Sequence, residues 1–418
     1  SFDIEFLSRH GLVLNNPTYD TWDLASILLP RSDEYSLNFL AHVLCVDNST
    51  QHRAMADAET TQKVFLKLMD KLQNLDLGTK SHIELLAKKA HWPVGKLFNS
   101  DMKGTSGVSL NGIDVKGLED RLAKPPAFKK SKSFIALNDS EVAALVSPGQ
   151  AISQTLSSFE HRPQQIEMMS AITKAINNSE HLIVEGGTGV GKSLAYLLPA
   201  ILFSVENGRR VVISTNTINL QEQLLYKDIP LVVRTLENQG LIPPGKFVAS
   251  SLKGRSNYLC LQRWNGLSKA NSLSNEEAQL LSKCLVWLQD TNTGDRGEIN
   301  LAKRERGIWN RISASDAGKC LGLRGEPCFL RAARERSEAS HIIVVNHALL
   351  LSDVSRGNTV IPDYQYLIID EAQHLEREAT QQLGIRMSQA ELPDLLENLT
   401  RYLTELNIVL KGPNISSV

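Results

Sequence analysis

One stretch limits what this chain can fold into more than any other: His181-Leu-Ile-Val-Glu-Gly-Gly-Thr-Gly-Val-Gly-Lys-Ser193. Three apolar residues, Leu182–Val184, read as a buried strand that feeds a glycine-rich loop, and the loop opens a helix. Gly186 and Gly191, with Lys192 and Ser193, fall on the spacing G-x-x-x-x-G-K-[ST]. Each residue type there has a physical task. The backbone N–H groups of Gly186, Gly187, Thr188, Gly189, Val190 and Gly191 can close around a phosphate at the positive end of a helix. Lys192 adds a point charge, and the Ser193 hydroxyl ligates Mg²⁺.

A second motif supports the first. In Tyr364-Gln-Tyr-Leu-Ile-Ile-Asp-Glu-Ala-Gln-His-Leu375 an apolar strand delivers Asp370 and Glu371 to its carboxyl end, the edge where open α/β sheets bind ligands. Asp370 is expected to hold hydrated Mg²⁺, and Glu371 to orient or deprotonate an attacking water. Taken alone, the pair reads better as a solvated acidic turn after a core strand. Downstream of a phosphate loop, the catalytic reading is preferred.

Composition sets looser bounds. With 418 residues the chain has room for two or three domains, and 45 basic against 46 acidic residues leave no global field to attract nucleic acid. Any such contact must come from local patches. The most apolar helix candidate, Leu194 to Val205, is too short for a bilayer and carries Pro199, which suggests a kink. No membrane association is expected. Five cysteines without the paired spacing of small secreted folds point to a reducing, cytoplasmic compartment. The chain opens at Ser1 without a methionine and ends at Val418 after a helical stretch, so it reads as an internal fragment.

Periodicity divides the chain into three. Residues 1–77 are mixed, with helices expected at Tyr35 to Leu44 and Ala54 to Leu72. Residues 78–159 read as a connector or loosely packed subdomain and include the basic run Lys124-Pro-Pro-Ala-Phe-Lys-Lys-Ser-Lys132, a solvated stretch or a nucleic-acid contact. From 160 to 418 an α/β pattern takes over, with strands at Leu182–Val184, Arg210–Ser214, Ile342–Val345 and Tyr366–Ile369. Helical segments between them imply a parallel sheet flanked by helices. A long, largely helical and polar insertion spans about 254–340, and a further helical insertion begins after about 380.

These blocks together resemble the DinG-like branch of the Rad3/XPD helicases of superfamily 2, over His161 to about Thr380. The resemblance implies a RecA-like P-loop lobe that uses ATP and Mg²⁺ to drive 5′-to-3′ unwinding of DNA, in repair or replication-associated processing. Single-stranded DNA, or DNA with single-stranded tails, is the implied partner. Arg162-Pro-Gln-Gln165 looks like the family's adenine-sensing element, with Gln165 on the base edge. Ser214-Thr-Asn-Thr217 resembles the motif that grips the DNA backbone, which points to Thr215 and Asn216. Short polar side chains past a strand end can donate to phosphates, or can serve as the N-cap of the helix at Ile218–Tyr226. Lys253 and Arg255 beside Tyr258 suit contact with a single strand, although Tyr258 reads equally well as core. Gly254-Arg-Ser-Asn-Tyr-Leu-Cys260 and Val344-Val-Asn-His-Ala-Leu-Leu350 are further landmarks of the family. Asp-Glu-Ala-Gln373-His374 departs from its usual Asp-Glu-Ala-His.

In that family four cysteines bind an iron–sulfur cluster. Cys260 matches the first ligand, and Cys320 and Cys328 match the outer two of the later group. The segment between those two holds no thiol, so a [4Fe–4S] site is one ligand short. Cys284 or a non-cysteine ligand would have to complete it; Cys284 lies on an apolar helix face, and a degenerate remnant is the preferred reading.

The amino-terminal block resembles the carboxyl part of a DEDDh-type, RNase H-like 3′–5′ exonuclease. Phe2-Asp-Ile-Glu-Phe-Leu7 matches its second motif and His52-Arg-Ala-Met-Ala-Asp57 its third. Asp3 and Asp57 would ligate Mg²⁺ and His52 would be the general base, with a mere helix-start role as the alternative for His52. The first motif is expected before Ser1, and a second motor lobe with its arginine finger after Val418. The fragment is therefore expected to be nuclease-dead and to bind nucleotide with little hydrolysis. Two other classes stay open: a nuclease whose helicase-like part is a nucleotide-responsive DNA-binding scaffold, and a P-loop kinase or other NTPase without a nucleic-acid role.

Overall fold

A computed structural model describes residues 6, 8–13, 16–47, 54–98, 115–131, 133–147, 149, 160–187, 189–315, 327–384 and 396. The chain falls into two compact units: residues 1–129 with 252–340, and residues 130–251 with 341–418. Between Lys129 and Lys130 the boundary crosses the basic, proline-bearing run.

The second unit is built on a parallel four-stranded sheet. Its strands are β1 (Val211–Thr215), β2 (Ala249–Ser251), β3 (Ile342–Asn346) and β4 (Tyr366–Ile369), in the order β2-β3-β1-β4. β1 reads Val-Val-Ile-Ser-Thr and is buried along its whole length, as a central parallel strand covered on both faces must be. Its register pairs Thr215 with Asn346 and Ser214 with Ile369, which brings the carboxyl ends of three strands to one edge. The helix Lys192–Asn207 is apolar around most of its circumference, continues through Pro199, and packs Leu197, Leu198, Ile201 and Phe203 into the core. Phe203 meets Tyr366 of β4 edge to face at 4.7 Å between ring centres.

Three of the four expected strands form. The exception is Leu182–Val184, which joins no sheet among the described residues, and Ile183 is 99% exposed. Its apolar run predicts burial, but a strand also needs a hydrogen-bonding neighbour. Ser179 reaches Tyr366 only through the two hydroxyls, 3.4 Å apart, and no main-chain ladder to β4 follows. β2 was invisible in the sequence because its three residues, Ala-Ser-Ser, carry no strand pattern.

The first unit is helical. The inserted helix Asn275–Trp287 packs against both Thr21–Leu28 and Leu77–Lys89, so the insertion and the amino-terminal segment share one core. Gln279 donates to the Ser26 hydroxyl at 2.8 Å, Gln289 to Thr79 at 2.9 Å, and the Asn300 amide to the carbonyl of Pro30 at 2.9 Å. A capping box between Ser274 and Glu277 starts the helix. Trp264, Trp287 and Trp309 are fully buried, so a stretch that is polar in composition still supplies the largest side chains of this core. At its centre Lys283 and Glu305 form an ion pair of 2.7 Å with no access to solvent, and the ammonium also donates to the carbonyl of Asn300 at 2.9 Å. Among the described residues no helix is long and apolar enough to cross a membrane.

A buried charge that loses its partner is costly, typically about 3–5 kcal/mol. Glu305→Ala is expected to lower the unfolding free energy of the first unit by that order, read by urea denaturation followed through tryptophan fluorescence. The double variant Lys283→Met with Glu305→Leu is expected to lose far less.

Candidate nucleotide and nucleic-acid site

The phosphate loop takes its shape from glycines at two positions above all. Gly191 sits at φ 81°, and a Cβ there would lie 2.1 Å from Nε2 of Gln165. Conformation and close packing therefore both demand glycine. Gln165, itself buried, donates to the Gly191 carbonyl at 2.9 Å and so ties the helix Pro163–Asn178 to the end of the loop. Gly186 approaches the stem of Lys192, whose Cγ and Cδ would stand 3.3 Å from a Cβ. Thr188 lies outside the described residues.

Lys192 and Glu371 meet across the sheet edge, Nζ to Oε1 at 3.1 Å, although 179 positions separate them in sequence. Asp370 is carried there by β4. Its amide donates to the Ser214 carbonyl at 2.8 Å, in continuation of the β1–β4 ladder, and its Oδ2 accepts from the Tyr196 hydroxyl at 3.2 Å. Glu371 then adopts the left-handed region at φ 55°, an unusual conformation for a non-glycine residue. Gln373 donates to its carboxylate.

The two carboxyls are driven in opposite directions. Burial pushes Asp370 above the usual carboxylate range, with the Glu371 charge adding and Tyr196 and Lys192 opposing. Glu371 is held below that range, first by its hydrogen bond with Lys192 and then by Gln373. A desolvated carboxyl beside the Ser193 position offers the hard oxygen donors that Mg²⁺ requires, so the residues present fit that ion. Tyr196 was missed by sequence reasoning. It lies one helical turn after Ser193, and burial first, then the Asp370 charge, push its hydroxyl well above the usual phenol range, so it remains a donor.

Beside the loop lies a cavity lined by Gln165, Ser193, Leu197, Gln223, Asp228 and Val232, among others. Mixed apolar walls and amide or carboxylate edges suit a purine. Asp228 closes a π-helical turn, Leu224–Asp228, that joins the helix Ile218–Gln223 to Ile229–Asn238.

The expected DNA-contact residues divide. The Thr215 hydroxyl is fully buried and makes no hydrogen bond, since β1 extends one residue further than expected and draws Thr215 into the sheet. Asn216 is half-buried and follows it, and Thr217 caps the next helix by accepting from Leu220 N at 3.2 Å. In the first unit Lys253 is buried in an ion pair with Asp295 at 2.5 Å, which satisfies its charge internally and removes it from the solvent-facing contact foreseen for it. Arg255 is half-buried. Tyr258 belongs to the core, where its oxygen accepts from the Lys253 amide at 3.0 Å.

Cys284 is completely buried and its thiol is pushed up by desolvation, as fits a cysteine on an apolar helix face. Cys260 and Cys328 are half-buried at the starts of the helices Leu261–Ser268 and Phe329–Glu338, while Cys320 lies outside the described residues. Of the nuclease set, Asp3 and His52 lie outside the described residues, and Asp57 stands in the first turn of the helix Ala54–Gln73.

Comparison with known proteins agrees with this geometry. The DEAD/DEAH box helicase family matches residues 162–229, and an exonuclease family matches residues 2–65. A Bacillus subtilis protein named 3′-5′ exonuclease DinG is 31% identical over 95% of this chain and 43% of its own length. The ATP-dependent DNA helicase YoaA of Haemophilus influenzae is 34% identical over 64% of the chain and 41% of its own length. The ATP-dependent helicase DinG of Mycobacterium tuberculosis is 35% identical over 57% of the chain and 38% of its own length. The chain thus spans less than half the length of these relatives. Family matches, relatives and site geometry together identify the chain as DinG-like, a DEAD/DEAH box helicase segment behind an exonuclease-type segment.

Proposed function

We propose that this chain is the nucleotide-binding motor lobe of a DinG-type ATP-dependent DNA helicase that also carries a 3′–5′ exonuclease-type module and works in the cytoplasm on single-stranded or single-strand-tailed DNA. The convergence of Lys192, Asp370 and Glu371 at one sheet edge carries the reading. The loop amides and Lys192 bind the β- and γ-phosphates, and Gln165 and the cavity beside it take the base. Asp370 and the Ser193 hydroxyl hold Mg²⁺, which when bound neutralises charge developing on the phosphates. Tyr196 fixes the Asp370 carboxyl, and Glu371, kept ionised, orients the attacking water. Asn216 and Arg255 are the expected contacts with DNA phosphates. In the amino-terminal segment, Asp3, Asp57 and His52 are the proposed carboxylates and base of the nuclease.

A second reading is favoured by one observation: the Bacillus subtilis relative, matched over 95% of this chain, bears an exonuclease name alone. On that reading the motor lobe is a nucleotide-responsive DNA-binding scaffold, and the activity is nucleolytic. The two readings separate in the full-length protein. Strand separation driven by ATP and abolished by Lys192→Ala establishes the motor; DNA degradation without unwinding, indifferent to Lys192→Ala, establishes the scaffold.

Lys192→Ala is expected to weaken ATP binding by at least about tenfold, since a charge-assisted hydrogen bond to phosphate contributes roughly 1.5–3 kcal/mol. Equilibrium titration with a fluorescent ATP analogue measures it. Tyr196→Phe removes one donor from Asp370 and leaves the phosphate loop intact. Its expected effect is a loss of Mg²⁺-dependent nucleotide affinity of up to about tenfold, while affinity without Mg²⁺ stays unchanged.

A further inference from the structure

A buried histidine stands at the sheet edge with no task in the scheme above. His347 opens the helix His347–Ser355 directly after β3, and it is completely buried. Its Nδ1 lies 2.8 Å from the hydroxyl of Ser214, the penultimate residue of β1. Nε2 makes no hydrogen bond. Burial holds the ring below the usual imidazole range, and the nearby backbone carbonyls of Glu371 and Asp370 only partly oppose that. With Nδ1 taken by Ser214, Nε2 is the nitrogen left for those carbonyls, and a Ser214 hydroxyl donating to Nδ1 selects the tautomer with hydrogen on Nε2.

Ser214 is bound to the carboxylate turn twice. Its side chain holds His347, and its carbonyl accepts the Asp370 amide at 2.8 Å. One residue further on, the buried Thr215 hydroxyl also lacks a partner, and Asn216 then comes to the surface. Two unpaired buried polar groups, one at the end of β1 and one at the start of the helix after β3, are costly where they stand. The other half of that arrangement is Glu371, left-handed in its backbone and bonded through its carboxylate to Lys192. A triphosphate that draws Lys192 onto its own oxygens releases that bond.

We propose that His347 is a positioning residue that couples the nucleic-acid end of β1 to the Glu371 turn. In the first state, seen here, Lys192 holds Glu371 and Nε2–H is unbonded. In the second, Lys192 engages phosphate, the turn moves onto Nε2–H, and Glu371 is set for water. A strand pressing on Asn216 shifts Ser214, and Ser214 carries the ring with it, so nucleic acid favours the second state. Both sites thus bias one two-state element, as a coupling between them requires. This rests on the reading of the site as ATP-binding with Asn216 beside the nucleic acid.

The test is steady-state ATP turnover by the full-length protein, with and without an oligothymidylate, for His347→Asn, His347→Gln, Ser214→Ala and Lys192→Ala. Asparagine keeps an amide near Nδ1 for Ser214 but cannot reach the Nε2 position, whereas glutamine reaches it. His347→Asn is expected to leave basal turnover, the KM for ATP and oligonucleotide affinity within about twofold while stimulation by DNA falls about tenfold, the usual size of a coupling between sites. His347→Gln recovers part of the stimulation, and Ser214→Ala loses it as His347→Asn does. Native-like stimulation in His347→Asn overturns the inference. So does a proportional loss of basal and stimulated turnover in both histidine variants together with a lowered unfolding midpoint, which is the mark of a merely structural role. Native turnover indifferent to Lys192→Ala refutes instead the nucleotide reading, whatever the histidine variants do, and the inference falls with it.

Discussion

The meeting of Lys192 with Glu371 at 3.1 Å is the contact on which the second unit depends. It brings together residues 179 positions apart, and it requires that β4 end and the phosphate-loop helix begin at the same sheet edge. Parallel pairing of β1 with β3 and with β4 supplies that geometry, because every strand then presents its carboxyl end on one side. Functional side chains sit where regular structure stops, and the sheet fixes those stopping points. A partly buried ion pair at that edge is weak support for stability. The ammonium is satisfied by Glu371 here and would be satisfied by phosphate in its place.

Around that contact the environment drives two adjacent carboxyls in opposite directions. Asp370 is desolvated and braced by a buried tyrosine, while Glu371 is kept anionic by a cation and an amide. Opposed shifts on neighbouring acids are the usual sign of divided labour in a hydrolytic site. A solvated acidic turn would show neither the burial nor the brace.

Much of this was legible in the sequence, and the reasons are specific. Loop glycines, lysine and paired carboxylates are short-range patterns whose chemistry dictates residue type, so Gly191, Lys192, Asp370 and Glu371 could be named and their proximity foreseen. The helix expected at Ala54 to Leu72 forms at Ala54–Gln73 because its apolar spacing is long and regular. What escaped were facts that belong to pairs of segments. Whether Leu182–Val184 pairs depends on a neighbour, not on its own apolarity. Thr215 and Lys253 had the right residue type for phosphate contact, yet one is buried in a strand and the other in an ion pair with Asp295. Tyr196 could have been suspected from its place one turn beyond Ser193, where a helix surface brings side chains together. The partners of His347 were unreadable in the sequence, since they lie at the ends of two other strands, β1 and β4.

The joint core of the first unit has a bearing on how the polypeptide is made. Gln279 and Ser26 are 253 positions apart, and the sheet unit's residues 130–251 lie between the two halves of that core. The helices Thr21–Leu28 and Leu77–Lys89 therefore leave the ribosome long before Asn275–Trp287 exists to cover them. During that interval the faces that meet Asn275–Trp287 stay uncovered, and closing so long a loop is slow. A nascent chain with this connectivity has reason to engage a chaperone through its amino-terminal helices while the interrupting sheet unit is still being synthesised.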